Sequence, residues 1–240
     1  MSKQLWNILF LMVLTLSTAF DSTANASIVT SFDSDTEGWR VVTLNLNNTP
    51  PTAANSRDPQ FVPTGGNPGG YIKGQEFAGA SDWFSAPAEY LGSHADKLDG
   101  TLSFSLLAST NPTNYPTAVG VAIVGDNDTT IFRDIASPLT SVWTEYELLL
   151  AASGDWHFDT GADATDSEIE SILSEIQGIY IRSDWSNGLD STGLDSVSLA
   201  SPVPLPSALL LFASSFTALV GFGFAKTKCH CGRDGEAACS

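Results

Sequence analysis

The chain of 240 residues has few basic side chains: 10 Lys and Arg stand against 27 Asp and Glu, which gives a formal net charge of -17. The imbalance is concentrated in residues 27–202, which hold 24 acidic and 6 basic residues. Such a surface repels nucleic acid and anionic lipid, so the sequence predicts no nucleic-acid partner. The 3 cysteines all follow residue 228. Residues 27–202 therefore form no disulfide and depend on an apolar core or a bound metal.

Motifs for catalysis are also missing. The chain has 3 histidines, no Gly-x-Ser-x-Gly elbow and no glycine-rich phosphate loop. A pair of carboxylates could hydrolyse a glycoside, but among so many acids proximity in sequence says nothing about proximity in space. We predict no catalytic residues and no enzymatic activity.

Long apolar runs occur only at the two ends. The first runs from Leu5 to Leu16, follows Lys3, and is succeeded by Ala24-Asn25-Ala26, a small-x-small site of the kind that signal peptidase cleaves. We interpret residues 1–26 as a signal peptide cut after Ala26. An uncleaved anchor helix is the alternative.

The second run, Leu205–Ala225, carries no charge and as a helix would span roughly 30 Å, the thickness of a bilayer core. Lys226, Lys228 and Arg233 follow it, which places the C-terminus in the cytoplasm and residues 27–202 outside. We predict a transmembrane helix here. A buried core helix is the alternative. Residues 229–240 form a tail whose cysteines lack the paired spacing of a zinc site.

Residues 27–202 have the size of one domain, and short alternating apolar runs between turn signals predict antiparallel strands. Leu102, Phe104 and Leu106 share one strand face, and the stretch from Trp143 to Leu150 alternates in the same way. One segment has helical spacing instead and begins with a capping box at Thr165. Asn45 to Gly70 shows no periodicity and predicts a long loop. The predicted fold is an all-β sandwich with one short helix.

The order of several motifs resembles the laminin B domain, also called laminin domain IV, over about residues 80–200. The motifs are Trp83-Phe84-Ser85-Ala86-Pro87, Tyr90-Leu91-Gly92, Gly100-Thr101-Leu102-Ser103-Phe104, Trp143, the helix from Thr165, Ile181-Arg182 and Leu194-Asp195-Ser196-Val197-Ser198-Leu199. The opening, Phe32 through Gly38-Trp39 with Gly66-Asn67-Pro68-Gly69-Gly70-Tyr71, is similar to that of the same domain and of carbohydrate-binding jelly rolls. The resemblance implies a galactose-binding-like jelly-roll β-sandwich with a structural or adhesive role in extracellular matrix, and it supplies no catalytic residues. The cysteine-rich repeats that flank the domain in animal laminins are missing.

The C-terminal region has its own resemblance. Val203-Pro204-Leu205-Pro206, the apolar span and the basic residues look like a PEP-CTERM sorting signal of Gram-negative bacteria, with Leu205 in the place of its Glu. The resemblance implies that an exosortase-type enzyme recognises residues 203–228, cleaves the tail, and releases or attaches the protein at the cell surface among exopolysaccharide. The stretch Gly232–Ser240 exceeds the usual short basic end.

Asp195 has the strand parity of Val197 and Leu199, which predicts an inward carboxylate. A buried carboxylate needs a partner, and basic residues are few. We predict a structural Ca²⁺ bound by Asp195, by Asp33, Asp35 or Glu37, and by backbone carbonyls; similar jelly rolls hold such an ion between their first and last strands. The alternative is that Asp195 accepts backbone N–H groups or meets solvent.

Sugar binding by such modules uses exposed aromatic rings, which stack on a pyranose face. Trp83, Trp156 and Trp185 each adjoin an aspartate, and Tyr115 lies in a proline-flanked stretch, so these four are the candidates. Packing of the tryptophans into the core is the alternative.

The sequence as a whole predicts an exported, non-enzymatic cell-surface or extracellular-matrix protein. Its expected partners are signal peptidase, an exosortase-type enzyme, the membrane through the C-terminal helix, and extracellular polysaccharide. A carbohydrate-binding module with a defined sugar ligand is the alternative function, and a polysaccharide-modifying enzyme is a third.

Overall fold

The computed structural model describes residues 26–45, 52–75, 81–109, 117–126, 129–186 and 190–203. These residues form strands in two sheets, and one α-helix, α1 (Asp166–Ser174). The strands are β1 (Ile28–Thr30), β2 (Arg40–Asn45), β3 (Thr52–Arg57), β4 (Gln60–Gly66), β5 (Gly69–Gln75), β6 (Asp82–Ser85), β7 (Thr101–Ala108), β8 (Thr117–Val124), β9 (Thr130–Ala136), β10 (Thr144–Leu149), β11 (Gly178–Arg182) and β12 (Ser191–Ala200).

The strands pair antiparallel throughout. The first sheet, sheet A, has the order β10-β7-β12-β5-β4. On the same side of β12, β5 pairs with residues 191–194 and β1 pairs with residues 197–199. The second, sheet B, has the order β3-β2-β6-β11-β8-β9. The predicted all-β sandwich with a helix is confirmed.

The core lies between the sheets because apolar side chains alternate along the strands. Leu102, Phe104 and Leu106 of β7 point inward and are buried, and the register pairs Leu102 with Leu148 of β10. From sheet B, residues such as Ile181 close the core from the other side. The predicted faces of these strands are confirmed.

The helix α1 begins where its capping box predicts. The Thr165 Oγ1 accepts the Glu168 N–H at 3.4 Å, and the Glu168 carboxylate accepts the Thr165 N–H at 2.9 Å, so two N–H groups that the helix leaves free are satisfied. Ile169, Ile172 and Leu173 then lie on one helix face and join the core.

The loop predicted between Asn45 and Gly70 is wrong over most of its length. Residues 52–57 and 60–66 are the strands β3 and β4, which lie at the outer positions of sheet B and sheet A. An edge strand pairs with a neighbour on one side only and buries few of its side chains. Its sequence can therefore be polar and show no apolar period.

Within the described residues, none of the helices has both the length and the apolar character to cross a bilayer. The signal segment through residue 25, the predicted span at 205–225 and the cysteine tail lie outside the residues described, and these predictions remain untested.

Candidate functional site

A polar and aromatic surface occupies the outer side of sheet A, the side that faces away from the core. The pairs Glu145–Ser105 and Asp195–Ser105 place these three residues in one row across β10, β7 and β12. Two positions further along β12, Gly193 pairs with Lys73 of β5 on the same side. We call this surface the outer face of sheet A.

The outward position of Asp195 corrects the prediction that its carboxylate shares the inner face with Val197 and Leu199. The register of β12 against β7 shifts between Asp195 and Ser198, and Ser196 has a φ of 53°. A bulge inserts one residue and reverses the alternation on either side of it. Asp195 is nevertheless fully buried.

What buries Asp195 is the turn between β4 and β5, which folds onto the outer face. The Asn67 N–H donates to the Asp195 carboxylate, and the Ser196 hydroxyl donates to the Asn67 carbonyl at 2.6 Å. The Asn67 side-chain amide reaches Ser105 Oγ at 3.2 Å and Glu145 Oε1 at 3.1 Å. Asn67 thus fastens the turn to three strands. We call this set of contacts the hairpin latch.

The second partner of the Asp195 carboxylate is the Ser196 N–H, at 2.6 Å. The Asp195 carboxylate thus accepts hydrogen bonds from two backbone N–H groups, which is the alternative to a metal ion that the sequence left open. Burial raises the pKa of Asp195, the N–H groups of Asn67 and Ser196 oppose that rise, and the charges of Asp33 and Glu37 add to it. These two acids are thus close enough to act on Asp195.

Of the other predicted calcium ligands, Asp33 lies near the turn beside Asp195, whereas Asp35 and Glu37 are hydrogen-bonded to each other. Asp33 lies against the turn, since a Cβ built on Gly69 would be 3.0 Å from its Oδ1. Asp35 accepts the Glu37 N–H at 2.7 Å. In the described part of the chain, no three acidic, His or Cys side chains are grouped closely enough to hold a metal. Any ion here would rely largely on backbone oxygens.

The tryptophans named as candidates for stacking on sugar are fully buried, so the alternative, packing into the core, describes them. Trp156 and Trp185 belong to the main core, and Trp83 to a smaller apolar cluster with residues of sheet B such as Val42. Each indole N–H has an acceptor; that of Trp156, for example, donates to the Leu149 carbonyl at 2.7 Å. Buried rings offer no face to a ligand. Tyr115 lies outside the described residues.

A different aromatic pair is found on the outer face of sheet A. Tyr71 and Trp143 are both half-buried, and their ring centroids are 5.3 Å apart with the planes at 82°. The Trp143 indole N–H donates to the Gly65 carbonyl at 2.9 Å. Gly193 leaves the space that both rings use, since a Cβ there would be 3.0 Å from Trp143 and 3.1 Å from Tyr71. We call Tyr71 and Trp143 the aromatic corner.

Sequence reasoning missed this corner, although one signal was present. Trp143 has the parity of Glu145 and Glu147, which were predicted to lie opposite the core-facing residues of the same strand. A tryptophan in a row with two exposed glutamates is a candidate for exposure. Its contact with Tyr71 is set by the sheet order and has no local signal.

A cleft of about 380 Å³ lies beside α1, and three acidic residues, Asp126, Glu168 and Glu175, are among its lining. Glu168 is committed to the helix cap, and its hydrogen bonds to Thr165 lower the pKa of its carboxyl. A general acid requires the opposite shift. Glu168 is therefore unsuited to protonating a leaving group.

The processing residues lie at the limits of the described chain. Ala26 is the first residue described, and its carbonyl accepts the buried Lys97 ammonium at 2.9 Å. Lys97 also donates to Ser201 Oγ at 2.9 Å. Val203 is the last residue described and is exposed, while residues 204–206 lie beyond it. Lys97 thus binds residues at both the N-terminal and the C-terminal end of the sandwich domain.

Comparison with known proteins gives one family match and several structural ones. The profile of the family described as laminin B (domain IV) matches residues 83–213. No curated protein sequence matches the chain. The L4b domain of human laminin alpha-2 has 15% identity and a TM-score of 0.55, over 73% of this chain and 98% of that domain. At this identity the likeness is one of fold.

Two further structures share less of the fold. A family 11 carbohydrate-binding module of a cellulosomal cellulase of Clostridium thermocellum has 14% identity and a TM-score of 0.42, over 78% of this chain and 94% of the module. An exo-beta-agarase has 13% identity and a TM-score of 0.48, over 72% of this chain and 25% of the enzyme.

Proposed function

The chain belongs to the laminin B (domain IV) family, and on that premise we propose that it is a non-enzymatic protein of the cell surface or extracellular matrix. The family match extends from β6 to β12 and includes Ser105, Trp143 and Asp195 of the outer face. This match is the observation that carries the proposal. The sandwich would act by presenting a surface to other molecules, and the hairpin latch would hold part of that surface in place.

Export and sorting are the second part of the proposal. Signal peptidase would cut after Ala26, and an exosortase-type enzyme would act at residues 203–206, after a transient membrane anchor through Leu205–Ala225. The arrangement of apolar and basic segments supports this route. The excess of acidic residues in 27–202 supports work in external fluid, where it favours solubility.

The experiment for this function has two readouts. Intact cells are treated with a protease that cannot enter them, and the full chain is followed with an antibody. Purified protein is then incubated with extracellular polymer from the same cells. We expect digestion on intact cells, and co-sedimentation with the polymer without change in polymer length. Protection of the protein in intact cells, or release of shortened polymer, would contradict the proposal.

A carbohydrate-binding module is the second candidate, and the aromatic corner of Tyr71 and Trp143 favours it. Half-buried rings on a sheet surface are a common basis of recognition, because they offer a large contact area with few rotatable bonds. In this case the ligand would be a sugar of the extracellular polysaccharide.

A structural Ca²⁺ remains part of the proposal. Asp195, together with Asp33, Asp35 or Glu37 and backbone carbonyls, would bind it. Burial is the main reason that the pKa of Asp195 is raised, the charges of Asp33 and Glu37 add to the rise, and a divalent cation would offset both. Asp35, which accepts the Glu37 N–H, would hold the loop in shape. The ion would stabilise the turn against the first loop and take no part in any reaction.

A further inference from the structure

The aromatic corner places two half-buried rings together on the outer face of sheet A. The rings of Tyr71 and Trp143 meet edge to face at 82°, and both lie against the bare backbone of Gly193. Leu139 and Val142, on the segment that leads to Trp143, are 59% and 55% exposed. These two apolar side chains are exposed on the segment that joins β9 to β10. Isolated exposed apolar residues are ordinary, so the paired rings alone indicate a contact surface here.

The corner is held in place before any ligand arrives. The Trp143 indole is fixed by its hydrogen bond to Gly65 of β4, two residues before Asn67, which binds Asp195 and Ser105. Because the rings are already ordered, binding loses little side-chain entropy. The hairpin latch and the aromatic corner thus act as one unit, the first positioning the second.

The charges around the corner select the class of ligand. Glu145 and Glu147 lie on the same face and are exposed. Lys73, which pairs with Gly193, is the basic residue of β5 on that face, and the chain as a whole has a net charge of -17. An anionic polymer would be repelled, and so would nucleic acid, whose bases could otherwise stack on the rings. The Glu145 carboxylate is at the same time a strong acceptor for hydroxyl groups.

We propose that Tyr71 and Trp143 bind a neutral hexopyranose unit of an extracellular polysaccharide, with a ring face of the sugar against the indole and its hydroxyls toward Glu145. The apolar C–H face of a pyranose fits an aromatic ring, and its rim of hydroxyls fits the surrounding acceptors. This inference rests on the proposed function, whose polymer partner it assigns to one surface and one class of sugar.

The test uses the full chain, as the expressing cell processes it, in affinity electrophoresis through gels that contain a soluble neutral β-glucan, a neutral galactan or polygalacturonate. We expect at least one neutral polymer to retard the protein and the anionic polymer to leave it unretarded. Trp143→Ala and Tyr71→Ala should each weaken the binding roughly tenfold, as expected for the loss of a central aromatic contact. Trp143→Phe, which keeps a ring, should retain part of the affinity.

Tyr180→Ala is the matched control, since Tyr180 is a half-buried aromatic residue on sheet B. It should bind like the unchanged protein, and circular dichroism establishes that each variant is folded. A second readout is acrylamide quenching. Among the tryptophans in the described ranges, Trp143 is half-buried and the other four are fully buried, so a bound polymer should protect its fluorescence.

Unchanged binding by a folded Trp143→Ala variant, or retardation by polygalacturonate alone, would overturn the subsite. So would a failure of every neutral polymer to bind. The location of the protein is measured separately, by protease treatment of intact cells. If the subsite fails but the protein is still found outside the cell, the proposed function stands; if the protein is not found outside, the proposed function fails.

Discussion

The hairpin latch predicts a large effect for Asp195→Ala. The substitution removes the acceptor of two backbone N–H groups, those of Asn67 and Ser196, beneath a turn that covers the outer face of sheet A. The remaining bonds of the Asn67 side chain to Ser105 and Glu145 would have to hold the turn alone. We expect the free energy of unfolding to fall.

The magnitude follows from two opposing effects. A buried N–H left without an acceptor costs about 1–3 kcal/mol, and two are affected. Against this, burial raises the pKa of Asp195, so removing its charge relieves a desolvation cost. We expect a net loss of about 2 kcal/mol at pH 7. In a domain of this size, that loss lowers Tm by roughly 4–8 °C.

The assay is thermal unfolding followed by circular dichroism, in chelator, for the full chain. Asp195→Asn keeps an acceptor for one N–H and should lose about half as much. Asp159→Ala, an exposed carboxylate, serves as the matched control and should melt like the unchanged protein. If Asp195→Ala melts within about 1 °C of the unchanged protein, the turn is held by other contacts and the latch is wrong.

The pH dependence adds an independent check. The folded-state pKa of Asp195 is raised, so its stabilising contribution is complete below the ordinary carboxyl pKa, about 4, and is lost as the pH rises through the raised value. The advantage of the unchanged protein over Asp195→Ala should therefore be larger in acid than at neutral pH. A difference that stays constant, or grows with pH in chelator, would contradict this account.

Three further predictions follow from the same contacts. Exhaustive chelation should lower Tm and added Ca²⁺ should restore it; an unchanged midpoint removes the calcium proposal. Trp156→Ala should cost about 3–5 kcal/mol, because it empties a large core site, and a variant that melts normally would show that Trp156 is not buried. Thr165→Ala should cost about 1 kcal/mol through loss of the helix cap, measured by urea unfolding, and Ser167→Ala, without that cap contact to the backbone, is its comparison.

The parts of the fold that sequence reasoning predicted are those where side-chain burial follows the backbone period. Burial alternates along β10, and along β7 up to the buried Ser105, and α1 has both a capping box and an apolar stripe. β3 and β4 were missed because outer strands can be polar on both faces. These strands are held largely by backbone pairing and by single side chains, such as Phe61 of β4 against the core and Arg57 of β3 against Asp82, which give no apolar period.

The candidate site was harder to predict because its parts meet only in the folded chain. The parity of Asp195 was reversed by the bulge at Ser196, which no residue type announces. Local neighbours such as Asp155 suggested an exposed Trp156, whereas packing between the sheets buries it. Tyr71 and Trp143 are distant in sequence and are brought together by sheet order.

The measurement that bears most directly on the whole account is mass spectrometry of the protein recovered from the outer surface and the medium of its own cells. We predict a chain that begins at Ser27 and ends near Pro206. Recovery of all 240 residues, unprocessed and from the cytosol alone, would contradict the account.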